Sequence, residues 1–298
     1  MMTRARIGCI GLGAMGLPIA RRLVTAGHSV AVNNRSQTSV QELVALGAEA
    51  LPDAAAIGAA CDVVLTALPA PDIVREVYLG ECGLLAGVRE GAILIDLSTV
   101  SPELSRQIER VARERGVFFL DAPISGGPEG AVNGTLTIMC GGDAAAFERA
   151  RPVFEVFGER IYHAGPSGAG CTIKLVNQLL VSIHAVATAE ALALAIQAGA
   201  DPSLTFEVVR NSWGNSRIFK RSFPLMLAGN DDGGANISIV LKDITVILDL
   251  ARQLGLPLGL GAAASEALTA ARDQGLGARD IAALRLLFAP DDAMEQPH

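Results

Sequence analysis

The sequence predicts an α/β domain, a doubly wound parallel sheet over residues 1–165, followed by an all-α domain over 166–290 with one long core helix. Three observations carry this expectation. Short apolar runs alternate with helical stretches as far as about residue 165, the pattern of a parallel sheet covered by helices. A glycine-spaced turn, GLGAMG, lies between the first such run and the first helix. Past residue 165 the strand signals nearly vanish, and a proline-free stretch, 170–200, is apolar on every face. That composition marks a buried helix rather than an amphipathic one.

Each element has its own signal. RARIGCI (4–10) reads as a strand, and the helix after the glycine turn ends near Gly27. HSVAVNN is a strand and SVQELVALG a helix closed by Gly47. DAAAIGAAC is helical, DVVLTALP is a buried strand stopped by Pro69, PDIVREVYLG is a helix and GAILIDLST a buried strand. Ser101 and Pro102 serve as N-cap and first residue of a helix that runs to Arg115 and stops at Gly116. VFFLDAP and GTLTIMCGG are strands, DAAAFERARPVFEVFG is a helix, and RIYHAG is the last strand. LTFEVVRNS, ISIVLKDITVILDLARQLG, LGAAASEALTAARDQG and ARDIAALRLLF read as helices, and the acidic tail 291–298 reads as frayed.

Composition excludes several functions. A formal charge of −7 and a pI near 5.2 argue against nucleic acid or an anionic membrane as partner. Half the residues are apolar and mean hydropathy is +0.39, enough to build a large core. Five scattered cysteines without a C-x-x-C read as reduced thiols of a cytoplasmic protein, mostly core filler. The N-terminal stretch looks like a secretory signal, but the glycine turn interrupts its apolar region. Lys174, Asn177, Gln178, His184 and Glu190 break the long helix, so no charge-free run reaches the roughly 18 residues of a membrane span. Both segments read as soluble structure. No metal-ligand spacing occurs, and His163 and His184 read as structural.

Gly11, Gly13 and Gly16 form G-x-G-x-x-G between a strand and a helix. The glycines allow a tight turn, close backbone approach to a pyrophosphate and tight helix packing, and the helix N-terminus faces the anion. The second strand ends in Asn33-Asn34-Arg35-Ser36, with no carboxylate to hold a ribose diol and with an arginine suited to a 2′-phosphate. The preferred dinucleotide is therefore NADP, with NAD possible. Ser125-Gly126-Gly127, after VFFLDAP, reads equally as a carboxylate-binding nest or as a glycine-rich connection.

The segments GCIGLGAMGLPIARRL, DAPISGGPEGAVNGTLTIMCGG, GAGCTIKLVNQ and VLKDITVI resemble, in order and spacing, the four motif regions of the β-hydroxyacid dehydrogenase family. The resemblance covers nearly the whole chain. It implies a Rossmann domain, a helical domain whose long helix pairs subunits into a homodimer or homotetramer, and a small carboxylate substrate. Lys174 matches the catalytic lysine, Asn177 the amide beside it, and Ser125, Gly126 and Gly127 the carboxylate loop. Thr99 and Lys242 match cofactor contacts, the latter in a Lys242-Asp243 pair. Leu12, Ala14 and Met15 in the turn, Asn34, Arg35 and Ser36, and Leu68 with Pro69 complete the expected cofactor set. Gln178 follows Asn177, as in the tartronate semialdehyde type, and its role stays open.

A lysine in an oily helix then has a chemical reason. Reduction of a carbonyl leaves negative charge on oxygen, which an ammonium stabilises and protonates; in the oxidative direction the neutral amine takes the proton. Apolar surroundings lower a lysine's pKa toward that range. Asn177, one turn on, shares its face. Residues 211–222 resemble the segment closing over substrate in relatives, so Trp213, Asn215, Arg217 and Phe219 are pocket candidates; Arg217, Lys220 and Arg221 read equally as a solvated cluster. The expected activity interconverts a short β-hydroxy acid and its semialdehyde. The alternatives are an imine reductase of the same plan and a non-catalytic NADP-binding module.

Overall fold

The computed structural model describes residues 5–288; the tail 291–298 and the first four residues lie outside them. The chain divides into two compact units between Lys174 and Leu175.

The first unit opens with β1 (Ile7–Ile10), four buried residues, and α1 (Gly16–Thr25), which ends at Gly27 with φ 80°. There follow β2 (Val30–Asn33), α2 (Gln37–Ala45), a two-residue β3 (Glu49–Ala50), α3 (Ala54–Ala60), β4 (Val63–Thr66), α4 (Pro71–Leu79) and a single turn, α5 (Leu84–Gly87). Asp53 caps α3 by accepting from the Ala56 N–H at 2.7 Å. Next come β5 (Ile93–Asp96), α6 (Pro102–Arg113), β6 (Phe118–Asp121), β7 (Ile124–Ser125), α7 (Gly127–Asn133), β8 (Leu136–Gly142), α8 (Ala144–Phe154) and β9 (Gly158–Gly165). The Ser101 hydroxyl caps α6 through the Leu104 N–H at 3.2 Å.

The sheet order is β3-β2-β1-β4-β5-β6-β8-β7, with β9 beside β8. Strands β1 to β6 pair in parallel, while β8 runs antiparallel to β6 and β7. The topology reverses at β1, where successive crossovers lead first to β2 and then to β4. Open α/β sheets bind ligands at such a point, beyond the carboxyl ends of their strands. The core packs both faces: Ile19, Leu23 and Phe154 on one side, Ile57, Tyr78 and Ile108 on the other.

Two expectations change. The stretch after β7 is a helix, α7, rather than a plain glycine-rich connection: Pro128 lies in its first turn, Glu129 beside it, and Gly134 at φ 73° ends it. The antiparallel pairing of β8 with β6 and β7 also breaks the otherwise parallel sheet. Cys9, Cys61, Cys140 and Cys171 are buried, and Cys82 alone is exposed. Burial pushes the Cys61 thiol up to about 11 and also raises those of Cys9, Cys140 and Cys171.

Helix α9 (Ala169–Gln197) begins in the first unit and continues as the spine of the second. There follow α10 (Pro202–Val209), α11 (Arg217–Leu227), α12 (Ile237–Gln253), α13 (Gly259–Ala271), a π turn at Arg272–Leu276 and a 3₁₀ helix at Ile281–Leu287. The core of this unit joins Ala185, Ala189 and Leu192 of α9 to Val240, Ile244 and Leu268. Helix α9 is long and apolar enough to cross a bilayer, but here one face of it is the core of a globular unit.

Candidate active site

The nucleotide end is built by three glycines with different surroundings. A Cβ on Gly11 would lie 2.4 Å from the Ala67 carbonyl oxygen, and Gly11 itself has φ 87°. A Cβ on Gly16 would lie 1.8 Å from the Gly11 carbonyl oxygen, so the turn closes on itself only without side chains. Gly13 meets nothing within 4 Å and is exposed, as is Ala14. Met15, the N-cap of α1, makes no side-chain cap bond, and the first-turn N–H groups of a helix lack intrahelical acceptors. Bare backbone at a helix N-terminus, with space above it, fits the pyrophosphate of a dinucleotide.

Asn34 supports this turn. Its Oδ1 accepts from the Leu12 N–H at 3.1 Å, and its Nδ2 donates to the Ser36 carbonyl at 3.1 Å. Leu12 is therefore a backbone element of the turn with a core side chain, 2% exposed. Arg35 is exposed, and Ser36 begins α2 without spending its hydroxyl on a cap bond. Asn33 turns its amide to the Leu51 carbonyl.

Beside the turn, the ends of β4 and β5 form a buried polar chain. The Thr66 hydroxyl, 2.8 Å from the Tyr78 hydroxyl, donates to Asp96 Oδ1 at 2.8 Å. The same Asp96 oxygen accepts from the Ser98 N–H, and the Ser98 hydroxyl accepts from the Leu68 N–H at 2.9 Å. This chain sets the backbone of Leu68-Pro69 and the residue next to Thr99. Burial, then the Asp96 charge, raises the Tyr78 hydroxyl well above its ordinary range.

Asp121 closes β6, in register with Asp96 on β5. Its Oδ1 accepts from the Gly168 N–H at 2.7 Å and its Oδ2 from the Cys171 N–H at 2.9 Å. Burial raises its pKa to about 6 against these two bonds. The strand end thereby holds the first turn of α9. A Cβ on Gly170 would sit 2.2 Å from the Met139 carbonyl oxygen, so the helix head lies directly on the sheet. Lys174, one turn further, is buried at 7% exposure. Ser125 is half-buried at the end of β7, while Gly126 (φ 137°) and Gly127 (φ 66°) are exposed in conformations that favour glycine.

In the helical unit, Asn177 donates through Nδ2 to Gln178 Oε1 at 2.9 Å, and Gln178 Nε2 donates to Asp243 Oδ2. Lys242 pairs with Asp243 Oδ1 at 2.7 Å. Phe219, expected to line a pocket, instead packs in a triangle with Phe206 and Phe223, centroids 5.8 and 5.0 Å away, and is buried in the core of this unit. Arg217 is exposed in the first turn of α11 and Trp213 is fully exposed, whereas the Asn215 Oδ1 is buried without a partner. Arg221 is no solvated charge either: it grips the fully buried Asp280 with two bonds, 2.9 and 2.7 Å. His163 stacks on Phe147 and bonds the Gly142 carbonyl, a structural role.

Sequence reasoning missed Asp121, Asp96 and the Gln178–Asp243 bond. A carboxylate closing an otherwise apolar buried strand, as in ILID and FFLD, was the available signal for the first two.

Residues 6–165 match the family described as the NAD binding domain of 6-phosphogluconate dehydrogenase, and residues 168–287 that described as the NAD-binding part of NADP-dependent 3-hydroxyisobutyrate dehydrogenase. A 2-(hydroxymethyl)glutarate dehydrogenase of Eubacterium barkeri is 37% identical over 94% of this chain and 93% of its own. An NAD-dependent L-serine dehydrogenase of Pseudomonas aeruginosa is 38% identical over 96% and 98%. The solved 3-hydroxyisobutyrate dehydrogenase of Mycobacterium tuberculosis with L-serine superposes with a TM-score of 0.89 at 30% identity, covering 97% of this chain and all of that one. An imine reductase from Pseudomonas sp., 21% identical over 96% of this chain and all of that one with a TM-score of 0.59, shares the fold alone.

Proposed function

The chain belongs to the β-hydroxyacid dehydrogenase family of NAD(P)-dependent oxidoreductases, and from that premise we propose an NADP-preferring enzyme that interconverts a short 3-hydroxy acid and its semialdehyde. The observation that carries the reading is Lys174, buried at the head of α9 where Asp121 fixes the helix start.

Gly11 to Gly16 hold the pyrophosphate on backbone, while Leu68, Pro69, Thr99 and Lys242 hold the remainder of the dinucleotide. Arg35 and the uncommitted Ser36 hydroxyl receive a 2′-phosphate, which supports NADP over NAD. When bound, the nicotinamide would supply or take up the hydride at the carbinol carbon. Lys174 protonates the substrate oxygen during reduction and takes the proton back during oxidation. The Ser125 hydroxyl and the backbone of Gly126 and Gly127 receive the substrate carboxylate, and Asn177 bonds the reacting hydroxyl. Arg217 meets the distal end of the substrate. The names of two relatives support serine-sized substrates.

Exposed apolar side chains on α9, among them Val176, Leu180 and Leu194, support burial against another copy, as a homodimer or homotetramer. Free thiols support a cytoplasmic location.

The test measures initial rates with NADPH and NADH against glyoxylate and the succinic, methylmalonic and tartronic semialdehydes, and in reverse against L-serine and 3-hydroxyisobutyrate. Saturable turnover, faster with the phosphorylated cofactor, is expected. Lys174→Ala should lose roughly a hundredfold or more in kcat while binding NADPH as before. NADPH binding without turnover of any of these compounds, or a K174A variant that keeps most of its rate, would overturn the reading.

A further inference from the structure

The last four carbonyls of an α-helix lack intrahelical donors, and a helix of fewer than about twelve residues rarely holds its form alone. Helix α7 has seven residues, Gly127–Asn133, so groups outside it must hold its far end. The Gly134 and Thr135 N–H groups both turn back to the Gly130 carbonyl. The Val132 carbonyl is met from a distant part of the chain. It accepts from Arg22 Nη1 at 3.0 Å, while Arg22 Nε donates to the Val156 carbonyl at 2.7 Å. The guanidinium lies against Gly134, where a Cβ would come to 2.5 Å from its Cζ.

Arg22 stands in the last turn of α1, the helix whose N-terminus fits a pyrophosphate. Helix α7 begins at Gly127, the end of the Ser125-Gly126-Gly127 loop. The two ends of that loop are held differently. Ser125 pairs with Thr137 across the β7–β8 ladder, so the sheet fixes it. Gly126 and Gly127 have no side chain to anchor, and their backbone passes straight into α7. The Gly126 carbonyl accepts from the Gly130 N–H at 3.2 Å, which closes the first turn. Leu136 packs beside Gly126 and Gly130, where a Cβ would lie 3.0 Å from its side chain. Apolar packing of this kind has no direction, whereas the bonds from Arg22 do.

We infer that Arg22 is a positioning residue for the substrate loop: by holding the far end of α7, it sets the backbone of Gly126 and Gly127 to receive the substrate carboxylate. This rests on the assignment of that loop to the carboxylate made above. A guanidinium suits the task, since it stays charged throughout the working pH range and its fork donates to two carbonyls at once. Those carbonyls belong to α7 and to the turn between α8 and β9, 110 and 134 positions along the chain. Arg22 acts through α7, not on the reacting atoms.

Substrate binding reads the consequence. In Arg22→Ala the KM for the oxo acid should rise about tenfold, while kcat and the Kd for NADPH stay within about twofold. That split marks a lost binding contact rather than a lost catalytic one. Arg22→Lys, which can still donate to a carbonyl, should recover most of the loss. General damage to the first unit would weaken NADPH as well, because α1 carries the glycine turn. That outcome, or an unchanged KM, overturns the inference. Gly134→Asn tests the same contact from its other side: asparagine tolerates the left-handed backbone, and its Cβ displaces the guanidinium. It should raise KM as Arg22→Ala does, and the double variant should raise it no further than either alone. Effects that multiply overturn the coupling.

Hydrogen exchange of the full-length chain without cofactor, read by mass, checks the hold without any substrate. Amides of residues 130–135 should exchange at least about tenfold faster in Arg22→Ala, while those of β1 and β4 keep their wild-type rates. Equal rates at 130–135 overturn the hold. If the wild-type chain turns over none of the compounds above, the assigned reaction fails, and exchange still decides whether Arg22 holds α7.

Discussion

The backbone N–H of Cys171 donates to Oδ2 of Asp121 at 2.9 Å, tying the end of a buried strand to the first turn of the helix that carries Lys174. The bond couples the sheet to that helix with one side chain.

That side chain titrates in a useful range. Burial raises Asp121 from 3.8 to about 6, despite the bonds from Gly168 and Cys171. A raised folded pKa gives stability that is full below 3.8 and is lost as pH rises through about 6. The gap is worth about 3 kcal/mol. Asp121→Asn cannot titrate, so the wild type should gain on it as pH falls from 7 to 4.5. Unfolding midpoints of both chains across that range check this; parallel curves would refute it.

The glycines of the turn should separate by function. Gly16→Ala would press a Cβ to 1.8 Å of backbone and should cost at least about 3 kcal/mol or abolish folding. Gly13→Ala meets open space and should leave the unfolding midpoint within about 0.5 kcal/mol. The added methyl fills the approach to the pyrophosphate, so NADPH affinity should fall about tenfold or more. Calorimetry with titrated NADPH reads both effects.

Cofactor choice should follow the end of β2. In Asn34→Asp a carboxylate oxygen still accepts from the Leu12 N–H, so the turn survives, while the new charge repels a 2′-phosphate. The ratio of kcat/KM for NADPH to that for NADH should drop at least about tenfold, and Arg35→Ala should lower it too. An unchanged ratio in both variants would remove these residues from cofactor selection.

The Arg221–Asp280 pair should set acid stability in the helical unit. Burial raises the Asp280 carboxyl, but Arg221 and the N–H groups of Ala282 and Ala235 outweigh it and hold the pKa below 3.8. A depressed pKa gives stability present above 3.8 that is lost as pH falls through the folded value. Asp280→Ala should cost at least about 2 kcal/mol at pH 7. Its deficit against wild type should shrink in acid, as urea unfolding at pH 7 and pH 3 would show.

What the sequence made legible was local. Ser101 and the glycine turn act within a few residues, so spacing alone reveals them. Helix α7 was hidden because Gly127 and Gly130 lie within its seven residues and Gly126 and Gly134 flank it, although Pro128 and Glu129 are start signals. Asp121 acts on residues 47 and 50 positions away, a separation no local pattern carries. Phe219 shows the opposite limit. An aromatic residue on a short helix next to an inter-helix loop suits a pocket or a core equally, and only its packing against Phe206 and Phe223 decides. Lys174 was legible as a lysine out of place, but not how its helix is anchored.

All five cysteines fall before Lys174, and only Cys82 meets solvent. The folded chain therefore offers a maleimide one sulfur, while an opened first unit offers four more, and the helical unit carries none. Counting labels by mass thus becomes a clock for the nucleotide-binding half alone, running without dye, cofactor or engineered tag. Cofactor bound to the folded half would stabilise it and slow the clock, so its rate also measures occupancy.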